Sequence, residues 1–228
     1  MALFPIPSPF APALHWQMPQ GVCVGVFLPE GTLVPPMVFQ KLSEKETQFA
    51  RTLSPPRQKT WLGGRLALRA ATGMDLSFDF LPNGRNAPSL PPGWVGSVSH
   101  KDSLAVAWAA PFKDGWQVGV DVEAIEAPRH DIAPRVLTER EREALLSLPK
   151  SEQARTLMFS FSAKEALYKA IDPFVRRYVG FQEVELSSPT GPDVSARLDL
   201  PEGPFESEVF FREFGAFVVT FAKVRRKT

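Results

Sequence analysis

Two short segments, Leu42-Ser-Glu-Lys-Glu46 and Leu137-Thr-Glu-Arg-Glu141, share one pattern and constrain the fold more than any other feature of the chain. Each reads as a capping box: Ser43 or Thr138 caps a helix, and Glu46 or Glu141, three residues on, reaches back to the cap. A longer helical pattern follows each box. It carries Trp61, Arg65, Arg69 and Ala70 in the first half and Phe161, Glu165, Lys169 and Ala170 in the second, matched at a spacing of 100 residues. The repeat predicts a duplicated α+β unit, with halves at residues 1–112 and 113–228 joined through Ala110-Pro-Phe-Lys-Asp-Gly115. At that spacing Arg65 stands where the second half has Glu165. A cleft between the halves would then face cations on one wall and carboxylates on the other.

The 23 prolines punctuate this order and predict loops at residues 5–12, 29–36, 82–92, 128–134 and 201–204. Between them, alternation and helical periodicity predict a strand over 22–27, helices over 43–53 and 58–71, and strands over 95–99, 104–108 and 118–123. Helices follow over 138–147 and 153–171, then strands over 182–186, 194–200, 207–212 and 216–222. A net charge of +1 argues against a nucleic-acid binder held by a broad basic field. The basic residues Lys223, Arg225, Arg226 and Lys227 read as a solvated tail. No run approaches the roughly 20 apolar residues that span a bilayer, and the proline-broken N-terminus lacks the basic start of a signal peptide. The single cysteine, Cys23, excludes an internal disulfide and suits a reducing compartment. The expectation is a soluble, cytoplasmic protein with no membrane or nucleic-acid partner.

Gly119-Val-Asp-Val-Glu123 and Phe161-Ser-Ala-Lys-Glu-Ala-Leu-Tyr-Lys169 hold the chemistry. On a strand, Asp121 and Glu123 leave the same face. On a helix, Glu165 and Lys169 stack one turn apart. Packed together, they gather three carboxylates and an ammonium, a set suited to a hard cation such as Mg²⁺ with a charge left for a phosphate. Each piece alone also fits an exposed strand edge or an ordinary Glu–Lys helix pair. Gly96-Ser-Val-Ser-His100 ends a strand, where Ser99 and His100 can donate to a phosphate. Arg65 and Arg69 follow Gly63-Gly64, whose lack of side chains would let a ligand approach the backbone. Arg85 lies in the tight loop from Pro82 to Pro88. His15 and His130 have no partner in the pattern, and without a Cys/His cluster a zinc site is not expected. No Walker or dinucleotide-binding glycine loop is present.

The two chemistry-bearing segments resemble the signature motifs of the 4′-phosphopantetheinyl transferase superfamily. Gly96–His100, Gly64–Arg69 and the Gly84-Arg85…Pro88 loop resemble that family's coenzyme A-binding segments. The five motifs occur in the family's order over residues 57–185. The length and duplication resemble the monomeric, pseudo-dimeric surfactin and enterobactin-synthase branch, with the active site at the interface of two α+β subdomains. Phe161 departs from the more usual Trp, and Arg85 from Lys. Residues 1–40 and 187–228 carry no matching motif.

The resemblance implies transfer of 4′-phosphopantetheine from coenzyme A to a serine of an apo acyl or peptidyl carrier protein, with release of adenosine 3′,5′-bisphosphate. It implies that Asp121, Glu123 and Glu165 ligate Mg²⁺ (Mn²⁺ being the alternative) and that Glu165 is the general base. Lys169 and His100 would bond the phosphates, Ser99 would assist, and Arg65, Arg85 and, more weakly, Arg69 would take the 3′-phosphate. Arg129, Arg135, Arg140 and Arg142 would form a rim for an acidic carrier. The carrier's pathway, whether fatty-acid, polyketide or non-ribosomal peptide, stays open. So do two other readings: a non-catalytic module that binds coenzyme A or carrier, and a Mg²⁺-dependent phosphatase or nuclease.

Overall fold

A computed structural model describes residues 5–31, 33–125, 132–187 and 194–227 of the 228-residue chain. The fold is α+β, and the chain separates into two compact units, Met1–Phe112 and Lys113–Thr228.

The first unit is an antiparallel sheet under one long helix. Its strands are β1 (Ala11–Gln17), β2 (Val22–Phe27), β3 (Trp94–Lys101) and β4 (Leu104–Pro111), in the order β1-β2-β4-β3. Three helices lie between β2 and β3: α1 (Pro36–Phe39), α2 (Glu44–Arg51) and α3 (Pro55–Thr72). The side of the sheet that meets α3 is built from Val24, Val26, Val98 and a row of alanines, Ala105, Ala107 and Ala109. Small residues on β4 let the helix sit close. Gly63 and Gly64 finish the fit, because a Cβ on them would come within 2.2 Å of Leu28 and 2.6 Å of Val98. The pair is therefore a packing device and not a ligand approach. Strand β1 was missed because Pro9 and Pro12 read as loop. It is the edge of the sheet, where the lost backbone donor costs nothing, and its register shifts between Pro12 and Leu14.

The second unit repeats the scheme. Strand β5 (Gln117–Ala124) begins it, followed by helices α4 (Ala133–Val136), α5 (Glu139–Ser147) and α6 (Lys150–Val175). A 3-10 turn at Phe181–Glu183 leads into β6 (Val184–Ser187), where a single strand was expected from residue 182. Strand β7 (Ser195–Leu198) pairs with β6, and β8 (Phe205–Phe214) and β9 (Phe217–Arg226) form the sheet β5-β9-β8. Helix α6 crosses that sheet through Phe159, Ala163, Ala166 and Ala170. Of the basic C-terminal residues, Lys223, Arg225 and Arg226 lie in β9 and not in a solvated tail. Lys223 and Arg225 flank Trp116 at 4.2 and 4.5 Å from its ring and pair with Glu208 and Glu206.

Both capping boxes form, and both glutamates turn out to be internal anchors. Glu46 is fully buried; it accepts from Ser43 N at 2.8 Å, Phe80 N at 2.9 Å and the Arg69 guanidinium at 2.5 Å. Glu141 accepts from Thr138 N, Leu186 N and Lys164 Nζ, each at 2.7 Å. In each unit the cation lies 23 residues after the acid, on the long helix. The structural repeat thus pairs Arg69 with Lys164 at a spacing of 95, not Arg65 with Glu165 at 100. Among the described residues, no helix is long and apolar enough to cross a membrane.

Candidate active site

In the second unit the site is set by one close contact. Gly119 of β5 lies under α6 so tightly that a Cβ there would stand 1.9 Å from the Ala166 carbonyl oxygen. No other residue fits. The next residues on the same face of β5 are Asp121 and Glu123. The residues flanking Ala166 on α6 include Glu165 and, one turn on, Lys169. Packing brings Lys169 onto Asp121 and sets Glu165 within electrostatic reach of both and of Glu123.

Asp121 is buried, and its Oδ1 accepts from Lys169 Nζ at 2.7 Å. The same ammonium donates to the Val120 carbonyl at 3.0 Å. Glu123 and Glu165 are half-buried. The Glu165 carboxyl is pushed above its ordinary range by burial first and by the charge of Asp121 next, with Glu123 adding and Lys169 opposing. Among the described residues, no three acidic, His or Cys side chains are gathered tightly enough, as they stand, to enclose a metal ion. The donors still suit one. All three are carboxylate oxygens, the ligands that Mg²⁺ takes, and their mutual repulsion at Glu165 is what a divalent cation relieves. Ligation through Asp121 Oδ1 would exchange Lys169 for the ion.

Three buried hydroxyls near these groups were not foreseen. Ser162 Oγ, Tyr168 Oη and Thr220 Oγ1 have no hydrogen-bond partner among the described residues. Burial and the neighbouring Glu165 push the Tyr168 phenol up. Thr220 lies 51 residues beyond the helical motif in a strand whose composition announces only a core, and cross-strand register is what sets it opposite Asp121.

The first unit holds the expected phosphate-binding residues, in unequal states. Arg65 is buried, stacked 4.6 Å over Trp61, and its Nε donates to the Phe80 carbonyl at 2.5 Å. Its terminal nitrogens bond nothing among the described residues. Burial pulls the guanidinium down to about 10, against the opposing charge of Glu46. Arg69 is different: fully buried and ion-paired with Glu46, it also donates to the carbonyls of Asp75 and Phe78. The structure uses Arg69 as an internal cation, which corrects its expected place among the phosphate ligands. Arg85 is exposed in a turn that Asn83 Oδ1 organises by accepting from Arg85 N and Ala87 N. His100 is exposed on the α3 side of the sheet, whereas Ser99, its neighbour, is buried on the opposite side with Trp108 and Val106. Strand geometry separates the two that the motif placed together. Of the expected carrier-facing arginines, Arg140 is exposed beside Glu185, Arg135 is exposed and Arg142 is half-buried; Arg129, like His130, lies outside the described residues.

The profile of the 4′-phosphopantetheinyl transferase superfamily matches residues 117–222, and that of the 4′-phosphopantetheinyl transferase N-terminal domain matches residues 45–110. The chain is 34% identical to 4′-phosphopantetheinyl transferase Svp of Streptomyces mobaraensis over 71% of its own length and 66% of that protein's. It is 34% identical to 4′-phosphopantetheinyl transferase Npt of Nocardia iowensis, over 55% of this chain and 54% of that one. A holo-[acyl-carrier-protein] synthase of Geobacillus kaustophilus is 33% identical over 36% of this chain and 70% of its own. The chain therefore spans just under two thirds of the first of these relatives and about half of the second. A solved holo-(acyl-carrier-protein) synthase from Bacillus anthracis matches 48% of this chain and 96% of its own, at 19% identity and a TM-score of 0.41, too distant to carry an argument. With both profiles matched in order, and with the strand–helix constellation lying inside the first, the chain belongs to the 4′-phosphopantetheinyl transferase superfamily.

Proposed function

We propose that this protein transfers the 4′-phosphopantetheine group of coenzyme A to a serine hydroxyl of an apo carrier protein, in a Mg²⁺-dependent reaction that releases adenosine 3′,5′-bisphosphate. The observation that carries the proposal is the junction at Gly119, with Lys169 bonded to Asp121 and Glu165 within electrostatic reach of Asp121 and Glu123. The names of the relatives, phosphopantetheinyl transferase and holo-[acyl-carrier-protein] synthase, support it.

Asp121, Glu123 and Glu165 would hold Mg²⁺, whose chemistry there is the neutralisation of charge on a pyrophosphate. Glu165 takes the proton from the carrier serine as its oxygen bonds to the pantetheine-side phosphorus. The phosphorus–oxygen bond to the adenosine bisphosphate breaks, and the electron pair leaves with that group. Lys169, drawn from Asp121, and His100 donate to the phosphate oxygens on which charge builds. Arg65, with two unspent nitrogens, and Arg85 take the 3′-phosphate. Arg69 and Ser99 have no part in this scheme. Both family segments lie on one polypeptide, so the protein is expected to act as a monomer. Its single thiol, Cys23, is buried, in keeping with a cytoplasmic setting.

The test is the intact mass of an apo carrier protein incubated with the enzyme, coenzyme A and Mg²⁺, with a parallel sample in EDTA. A metal-dependent gain of one phosphopantetheinyl group supports the reading. No gain on acyl, aryl or peptidyl carriers, with coenzyme A bound, points to a non-catalytic binding module.

A further inference from the structure

Thr220 is fully buried, yet its hydroxyl bonds nothing among the described residues. It sits in β9 directly across from Asp121 of β5 and directly across from Phe211 of β8, in a row that runs Asp121–Thr220–Phe211 under α6. Directly opposed residues in an antiparallel pair share a face, with Cβ atoms about 5 Å apart. The strand neighbours on that face, Val218 and Ala222, are apolar core residues. Phe159 of α6 packs on Phe211 from above, at 4.3 Å between ring centroids. Within the row, the one polar neighbour that Thr220 has is Asp121. A buried hydroxyl left unsatisfied costs stability, and valine fills the same space without that cost. Threonine at this position therefore answers to something other than packing.

We infer that Thr220 is a positioning residue for Asp121: its hydroxyl donates to the carboxylate and holds it in the orientation that receives the metal. The inference rests on the metal-site reading of Asp121, Glu123 and Glu165. The need for such a donor follows from Lys169. As the protein stands, the ammonium fixes Asp121 through Oδ1. Once Lys169 turns to a phosphate, that restraint is gone, and a donor on the sheet side would help to keep the carboxylate's direction. Thr220 lies on the side of Asp121 formed by the sheet, whereas Lys169 approaches from the helix. The two donors can therefore alternate without competing for space. Metal ligands generally depend on such partners, and loss of one typically lowers metal affinity about 10- to 100-fold.

The experiment titrates Mn²⁺ into wild type, Thr220→Val and Thr220→Ser, alone and with coenzyme A, reading free Mn²⁺ by electron paramagnetic resonance; melting of the metal-free proteins runs alongside. The inference expects Thr220→Val to bind Mn²⁺ about tenfold or more weakly while melting at or above the wild-type temperature without metal, and Thr220→Ser to keep wild-type affinity. That opposition of stability and affinity is what a purely structural threonine would not produce. Should the valine variant fail to fold, Thr220→Ala carries the same comparison. Wild-type affinity in Thr220→Val, or an equal loss in Thr220→Ser, overturns the inference and leaves the metal site standing. Absence of Mn²⁺ binding by the wild type, with coenzyme A present, overturns the metal site and the inference with it.

Discussion

At Glu165, burial and two neighbouring carboxylates oppose ionisation while Lys169, one turn along the helix, favours it. Replacing this residue by glutamine keeps the shape and removes the base. Glu165→Gln is expected to lower transfer by about 10²–10⁴-fold, with coenzyme A affinity by calorimetry largely kept; wild-type turnover would remove Glu165 from the mechanism. Arg65 and Arg69 make a second test, because one is half-satisfied and the other fully engaged. Arg65→Ala should weaken coenzyme A far more than 3′-dephospho-coenzyme A, and equal losses would reject the 3′-phosphate assignment. Arg69→Met should instead destabilise the fold by about 3–5 kcal/mol, since it strands the buried Glu46 carboxylate. Sequence spacing placed both arginines on one helix face but gave no means of choosing between them. What separates their roles is Glu46, a partner 23 residues upstream that only the fold brings near. His100 and Ser99 failed as a pair for a simpler reason that the sequence did contain: adjacent strand residues point to opposite faces.

At the scale of the element, the helix–strand junctions were half legible. The capping boxes could be read directly, because their hydrogen bonds lie within four residues. Their second use, as buried anchors for Arg69 and Lys164, could not, because it depends on where Phe80 and Leu186 pass. The error in the repeat register has the same origin. Matching Glu165 to Arg65 followed residue type along two helices, whereas the fold matches the cation that meets each anchor. Lys164 is the clearest case. It sits beside Glu165 in the motif, yet its ammonium points the other way, to Glu141 and to the carbonyls of Val136 and Phe181. Lys164→Met is expected to cost about 3–5 kcal/mol in chemical denaturation, again by leaving an acid unpaired. Gly119→Ala is expected to destabilise by about 1–3 kcal/mol through overpacking and to abolish transfer, because β5 and α6 must part. An alanine variant with wild-type turnover would show that the contact at Ala166 does not set the site.

For the molecule as a whole, the α+β class and the order of the longer helices and most of the strands were legible from the sequence. The edge strand β1 and the ordered C-terminus were not, since proline and positive charge both mimic loop when the pairing partner is unseen. Another such pairing contributes to stability against acid. Arg177, just past the end of α6, joins Glu183 at the end of the 3-10 turn to Glu202 before β8. Hydrogen bonds from Arg177 hold both carboxyls below their ordinary range. Depressed acids contribute stability that is complete above their unfolded pKa and lost as pH falls through the folded one. Wild type should therefore lose melting temperature steeply below about pH 4, and Arg177→Gln should lose less over the same range; parallel curves would take this node out of the acid response. The contact at Gly119 has a last consequence, for insertions and deletions. It pins α6 at Ala166 like the zero of a protractor, and each residue of helix turns the dial by about 100°. Deleting a single residue between Ala166 and Lys169 would swing the ammonium away from Asp121 with no change in composition. Along this stretch, chain length is held as strictly as the identity of any side chain.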